Sequence, residues 1–199
     1  KAHKKFQHTV ALFMFINLLI TGIIVGMPYV QVKVLHFSDY YYGLTEAALS
    51  LGFILVGIYL SARKAIRYPL LLAWKSILTI GGLVALMGAV LWLPLSTDAF
   101  FAFFLLISLI FGGISTAVNI PMMTWVTQIV PTHYQGRIFN IVSTASQLLS
   151  PLGMVIFSLG FDYLPASLLF LLCGVIMIGV TAYWPRFYKV NILSNQLED

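Results

Sequence analysis

Six long apolar runs, divided by short polar breaks, set the pattern of this chain. A basic leader, residues 1–8, precedes a first run over 9–29 that carries Gly22, Gly26 and Pro28 toward its far end. After a loop with Lys33, Asp39 and the aromatic cluster Tyr40, Tyr41 and Tyr42, a second run covers 44–62 and stops at Arg63, Lys64 and Arg67. Pro69 opens a third over 69–93, as proline often does at the first helical position. The fourth, 99–130, is too long for one upright span: at about 1.5 Å per residue it reaches roughly 48 Å against a hydrocarbon core of about 30 Å. Gly112, Gly113 and Pro121 are therefore expected to break or bend it. A polar loop over 131–137 leads to a fifth run, 138–160, with Ser143, Thr144, Ser146, Gln147 and Ser150. The sixth, 166–184, ends at Pro185, Arg186 and Lys189, and residues 188–199 form a polar tail.

A membrane helix needs roughly 20 apolar residues, whereas a membrane barrel strand alternates apolar and polar positions over about 10. Stretches such as Leu70 to Leu93 are apolar on every side. The pattern predicts an all-α membrane protein of six transmembrane helices over residues 9–187.

Composition agrees. Of 199 residues, 60% are hydrophobic and 9% charged, against roughly 25% charged in a soluble domain. That excludes a soluble globule, a disordered segment and a nucleic-acid-binding domain. The one cysteine, Cys173, has no partner for a disulfide. The chain opens on Lys1 rather than Met, as expected of a piece of something longer. Net charge is +5, and its placement reports orientation. Nine of the eleven basic residues (Lys1, Lys4, Lys5, Arg63, Lys64, Arg67, Arg137, Arg186 and Lys189) fall on the side that holds both termini. The opposite loops carry Lys33 with Asp39, Asp98 and Asp162. The excess of positive charge places both termini in the cytoplasm.

Enzyme signatures are missing: there is no paired-histidine zinc motif, no phosphate-binding glycine loop ending in Gly-Lys-Ser/Thr and no Gly-x-Ser-x-Gly elbow. His3, His8, His36 and His133 lie in loops or at interfaces. No metal or cofactor is expected. What lies at depth is a set of amides, Asn17, Asn119 and Gln147. Polar groups in hydrocarbon face a bundle interior or a wet cavity; singly they fit interhelical hydrogen bonds, together a cavity lining. Cut between the third and fourth runs, the two triplets correspond. The first helix of each carries a glycine followed by a proline (Gly22 with Pro28, Gly113 with Pro121) and also an asparagine at depth, and interrupted helices at matching positions of two repeats point to a transport site. Pro151 in the fifth run is a further helix-break candidate. Glu46 is either a first-turn carboxylate favoured by the helix dipole or a coupling residue. Lys75 lies about 9 Å inside Pro69 and either snorkels to the headgroups or meets a buried partner or substrate.

Three patches carry a resemblance. Ile129-Val130-Pro131-Thr132-His133-Tyr134-Gln135-Gly136-Arg137 resembles the Pro-x-x-x-Arg-Gly-Arg loop between the tenth and eleventh helices of major facilitator superfamily transporters, with Gln135 in place of the commoner arginine. Gly57, Ser61, Arg63, Lys64 and Arg67 resemble a degenerate copy of the family's cytoplasmic loop motif, with Ser61 where the full motif has aspartate. Ser150-Pro151-Leu152-Gly153, followed by Gly160-Phe161-Asp162, is similar to its eleventh helix. Over residues 9–186 the chain resembles the carboxy-terminal six-helix half of a family member of the drug or macrolide efflux-like branch.

The resemblance implies two inverted three-helix repeats and an alternating-access carrier. It implies lipids, a small-molecule substrate, a coupling ion (a proton by preference) and the amino-terminal six-helix half as partners, in the plasma membrane. Because Ser61 lacks a carboxylate, Arg63 and Arg67 read as topology-setting charges rather than gate residues. The alternatives are a non-transporting six-helix scaffold and a half-size transporter that dimerises.

The orientation is directly testable. Cysteines replacing Asp98 or Asp162 should react with an impermeant thiol reagent applied to intact cells, and one replacing Arg137 should not; labelling at position 137 alone would invert the topology.

Overall fold

The computed structural model describes residues 2–62, 68–129 and 132–187. Among the described residues it is helical without a strand. Helix α1 (Ala2–Tyr29) continues into a π turn (Val30–Val34). Then follow α2 (Asp39–Ala62), α3 (Pro69–Val90), α4 (Thr97–Ile129), α5 (Thr132–Tyr163) and α6 (Ala166–Phe187). Hydrocarbon offers backbone groups no water, and a helix satisfies them within its own segment. Five helical stretches are long and apolar enough to cross a membrane: Met14–Val34, Asp39–Ala62, Pro69–Val90, Thr97–Trp125 and Ala166–Trp184. In α5 the apolar run is the shorter Leu149–Tyr163, because Asn140, Ser143, Thr144, Ser146 and Gln147 crowd its first half.

Several boundaries differ from the sequence pattern. The first apolar run does not end at Tyr29: Val30, Val32 and Val34 carry the helix one π turn further. The fourth run is one continuous helix through Gly112, Gly113 and Pro121. Helices α1 and α5 likewise run through Gly22, Pro28 and Pro151. None of the helix-break candidates interrupts its helix. A break would free backbone groups that hydrocarbon cannot satisfy, and the helices run on through these glycines. The expected loop over 131–137 is also shorter, since α5 starts at Thr132 and takes Gly136 and Arg137 into its first turns.

Packing joins α2 to α4, α3 to α6 and α1 to α5, while α3–α4 and α1–α6 contacts link the pairs in the order α2–α4–α3–α6–α1–α5. Glycine decides how close each pair comes. A Cβ on Gly52 would collide with the Leu109 carbonyl oxygen, and one on Gly112 with the Leu49 carbonyl oxygen, so the α2 and α4 backbones touch reciprocally. Gly81, Gly88 and Gly174 do the same between α3 and α6, where a Cβ on Gly88 would lie 2.6 Å from the Ser167 carbonyl oxygen and one on Gly174 2.6 Å from that of Gly81. Two indole N–H groups pin that pair at its ends. Trp74 Nε1 donates to the Thr181 carbonyl at 2.8 Å, and Trp92 Nε1 to the Ser167 hydroxyl at 2.6 Å.

The α1–α5 pair is built differently. The Phe157 ring of α5 lies over Gly22, where a Cβ would come within 2.7 Å of it, and the Phe161 and Phe170 rings cover Gly26. Here aromatic side chains fill glycine notches. The central core is apolar and fully buried, with Phe104, Ile77, Ile80, Met87, Phe170 and Met177 at its heart. At the end where α2 and α4 begin, Phe37 sits edge-on to Tyr41, Phe101 and Phe104. Tyr41 stacks on Phe101 with centroids 4.0 Å apart and donates a hydrogen bond to Asp98 at 3.0 Å.

A methyl group at position 52 or 112 must push two backbones apart. Gly52→Ala and Gly112→Ala should each cost about 1–3 kcal/mol, the usual range for overpacking, read as a lower midpoint for loss of the monodisperse peak on heating in detergent. Gly82, exposed and with nothing within 4 Å of its would-be Cβ, is the control: Gly82→Ala should hold or raise the midpoint through helix propensity. Equal tolerance at all three positions would mean that the crossing is looser than described.

Candidate functional site

Asn17 and Ile24, seven residues and so about two turns apart, stand exposed on one line of α1. The buried line of that helix is Leu12, Ile16, Leu19, Ile23, Met27 and Val30. Asn119 is exposed on α4, where its Nδ2 donates to the Ser115 carbonyl one turn back at 2.9 Å. The two asparagines lie on helices that belong to different packed pairs, and each faces out of the packed interior. The third amide, Gln147, lies in α5 with its side chain outside the described residues.

The hydroxyls near these amides are satisfied within their own helices. Thr21 donates to the Asn17 carbonyl at 3.0 Å and Thr124 to that of Ile120 at 2.9 Å. Thr116 reaches the Gly112 carbonyl at 3.3 Å and, across the crossing, that of Phe53 at 3.4 Å. Back-bonding of this kind meets a hydroxyl's needs locally, so these groups carry little information about a ligand.

The other candidates spread widely. Pro121 is buried in α4, Pro28 half-buried in α1 and Pro151 exposed on α5. Gly113 faces Val56 of α2, where a Cβ would stand 2.8 Å from Cγ2. Gly57 is half-buried, Gly136 and Arg137 are exposed, and Arg63 and Arg67 lie outside the described residues. Glu46 is half-buried on the second turn of α2, and Lys75 is exposed on α3. Among the described residues no three metal-ligating side chains cluster.

Two arrangements were not visible in the pattern of residues. Where α4 gives way to α5, Gln135 Nε2 donates to the Thr127 carbonyl at 3.0 Å. The amide thus reaches from the first turn of α5 to a carbonyl in the last turn of α4, where helix ends leave acceptors unfilled. At the other end of α1, Gln31 is fully buried on the π turn and its Oε1 accepts the Thr45 hydroxyl of α2 at 2.5 Å. Ending the first run at Tyr29 puts Gln31 in a loop, which is why sequence reasoning passes over it.

The Major Facilitator Superfamily profile matches residues 2–154, most of the chain. The chain belongs to the Major Facilitator Superfamily. Members of this family are transporters, and membership together with the helices long and apolar enough to cross a membrane makes this an integral membrane protein. A curated relative, the uncharacterized MFS-type transporter YfiS of Bacillus subtilis (strain 168), is 38% identical over 82 residues. That stretch covers 40% of this chain and 18% of the relative, well under two thirds of its length. No solved structure matches.

For the Gln135 bridge the expected effects are small and ordered. Gln135→Ala should lower thermal stability in detergent by about 0.5–1.5 kcal/mol, the net worth of one hydrogen bond. Gln135→Arg, which keeps a donor of similar reach, should recover most of it. Full tolerance of alanine would reduce the bridge to a surface contact.

Proposed function

We propose that the chain is the carboxy-terminal half of a secondary active transporter, exporting a small hydrophobic or amphipathic compound by proton or cation antiport. On this reading all six helices cross the plasma membrane with both termini in the cytoplasm. They form two inverted three-helix repeats and complete a central cavity with an amino-terminal six-helix half. The observation that carries it is the exposure of Asn17 and Asn119, two amides within stretches long and apolar enough to cross a membrane, in a superfamily member. An amide left facing lipid is costly, so these faces are assigned to a wet cavity, and Gln147 on the polar half of α5 is assigned to the same lining. Helix partnering supports the repeat: exchanging α1–α3 with α4–α6 turns α1–α5 into α4–α2 and α1–α6 into α4–α3, and leaves α3–α6 unchanged. The drug or macrolide efflux-like branch rests on the loop resemblance alone.

The acidic residues are Asp39, Glu46, Asp98, Asp162, Glu198 and Asp199. A proton-coupling carboxylate works at depth, where desolvation lifts its pKa toward neutrality, and none of these lies at mid-span. Coupling is therefore assigned to the amino-terminal half, and the wall and gate of the cavity to this one. The test is dye export driven by an imposed proton gradient in proteoliposomes of the assembled transporter. Asn119→Leu should cut export at least severalfold with insertion intact, while Glu46→Gln leaves gradient dependence in place. Unchanged export in leucine variants of all three amides would move the cavity elsewhere, and loss of gradient dependence in Glu46→Gln would make Glu46 the coupling residue.

A further inference from the structure

Lys75 stands exposed within α3, a helix long and apolar enough to cross a membrane. It lies on the side opposite the buried line Leu70, Ala73, Ile77, Ile80, Val84 and Met87. Further along its own side come Thr79, Gly82, Leu86 and Ala89, all exposed. The Thr79 hydroxyl is satisfied by the Lys75 carbonyl at 3.0 Å, and beyond it this side is apolar to the end of the helix. Acyl chains cover such a face well, whereas it offers little to a wet cavity, in contrast to the faces that carry Asn17 and Asn119. The Lys75 ammonium is the group on it that lipid tails cannot satisfy.

Two tryptophans give the depth of that charge. Trp74 and Trp92 hold α6 from opposite ends of α3, and the separation between them is about 27 Å at the helical rise, close to the roughly 30 Å of a hydrocarbon core. Indoles settle at the two membrane interfaces, so Trp74 marks the level at which α3 enters the bilayer. Lys75 follows it directly. Helical side chains lean toward the start of their helix, and the long lysine stem carries the ammonium on to the headgroups. The carboxylates of the described residues lie elsewhere. Asp39 and Asp98 open α2 and α4 at the far end of the bundle, and Asp162 lies just before α6, whose Ser167 meets Gly88 near the finish of α3. Glu46 belongs to α2, which α4 separates from α3. A lysine that faces lipid at an interface, with no carboxylate of those residues beside it, takes its counter-charge from a lipid phosphate. We propose that Lys75 anchors a phospholipid site on the open side of α3, where it holds the phosphate of an anionic phospholipid in the leaflet at which α3 begins. The site rests on membrane insertion alone and is independent of which compound is carried, and in which direction.

Native mass spectrometry of the whole protein, released from detergent after titration with phosphatidylglycerol or phosphatidylcholine, reads the affinity for the first lipid bound. Phosphatidylglycerol should bind more tightly than phosphatidylcholine. Lys75→Met keeps the stem and deletes the charge, and it should weaken the first phosphatidylglycerol by about fivefold, the scale of one lysine at an anionic surface. Phosphatidylcholine binding should not move. Lys75→Arg keeps the charge and should keep the affinity. Thr79→Val, one turn deeper on the same side, should also leave it unchanged, because that hydroxyl is already bonded within the helix. Unchanged phosphatidylglycerol affinity in Lys75→Met, or an equal loss of phosphatidylcholine, would reduce the face to an apolar contact and overturn the site. So would tighter binding in the double variant Glu198→Gln, Asp199→Asn, which would give the counter-charge to the chain's own tail.

Discussion

Two helices touch backbone to backbone only where neither presents a side chain, and in lipid that approach replaces the hydrophobic drive that assembles a soluble core. Acyl chains are as apolar as leucine, so packing, hydrogen bonds and weak Cα–H···O contacts hold membrane helices together. The reciprocal seating of Gly52 against the Leu109 carbonyl and of Gly112 against that of Leu49 is this constraint in its tightest form here. Gly81, Gly88 and Gly174 repeat it between α3 and α6, with the Trp74 and Trp92 indoles pinning the ends. Contacts between α3 and α4 then join the two close pairs into one slab. Against it, α1 and α5 meet through phenylalanine rings over Gly22 and Gly26. A ring can tilt or change rotamer as its neighbour slides; a carbonyl fixed in a helix ladder cannot. Stiffness and compliance are therefore distributed unevenly across the bundle, and the Gln31–Thr45 bond lies at the seam.

Membrane insertion and the helical class were legible because both follow from local quantities, run length and the scarcity of charge, that tertiary contacts do not alter. The helix breaks were not. Gly112 and Gly113 read as weak points in isolation because glycine has low helix propensity. Their role depends on α2, roughly sixty residues away in sequence, and contact at that separation leaves no periodic trace. Gln31 was missed for a related reason. A π turn shifts the register by about one residue, so the polar position that a 3.6-residue period would place in a loop returns to the buried side. An uncharged amide in the valine-rich segment after Pro28 was a signal of sorts, but it needed Thr45 to give it meaning. The amides Asn17 and Asn119 were legible as unusual, whereas their orientation required the packed neighbours that leave them uncovered.

Hydroxyls and amides at depth differ in what they demand. A threonine hydroxyl has one hydrogen to place, and a carbonyl four residues back takes it, as Thr21, Thr79 and Thr124 show. An asparagine has two donor hydrogens and an oxygen with two lone pairs. Helix α4 offers Asn119 one local acceptor, the Ser115 carbonyl, and with no neighbouring acceptor a helix leaves the rest of that capacity to be met from outside. Acyl chains supply neither donors nor acceptors. An exposed asparagine within a stretch long enough to cross a membrane therefore specifies its surroundings: water in a cavity, or polar groups on another protein surface. The demand distinguishes the Asn119 face of α4 from the exposed apolar positions Leu106 and Ile110, which lipid satisfies without further partners. On α1, too, the line that holds Asn17 departs from the buried apolar line of that helix. Polar capacity that a helix cannot absorb marks the side of the bundle on which transport chemistry has to be sought.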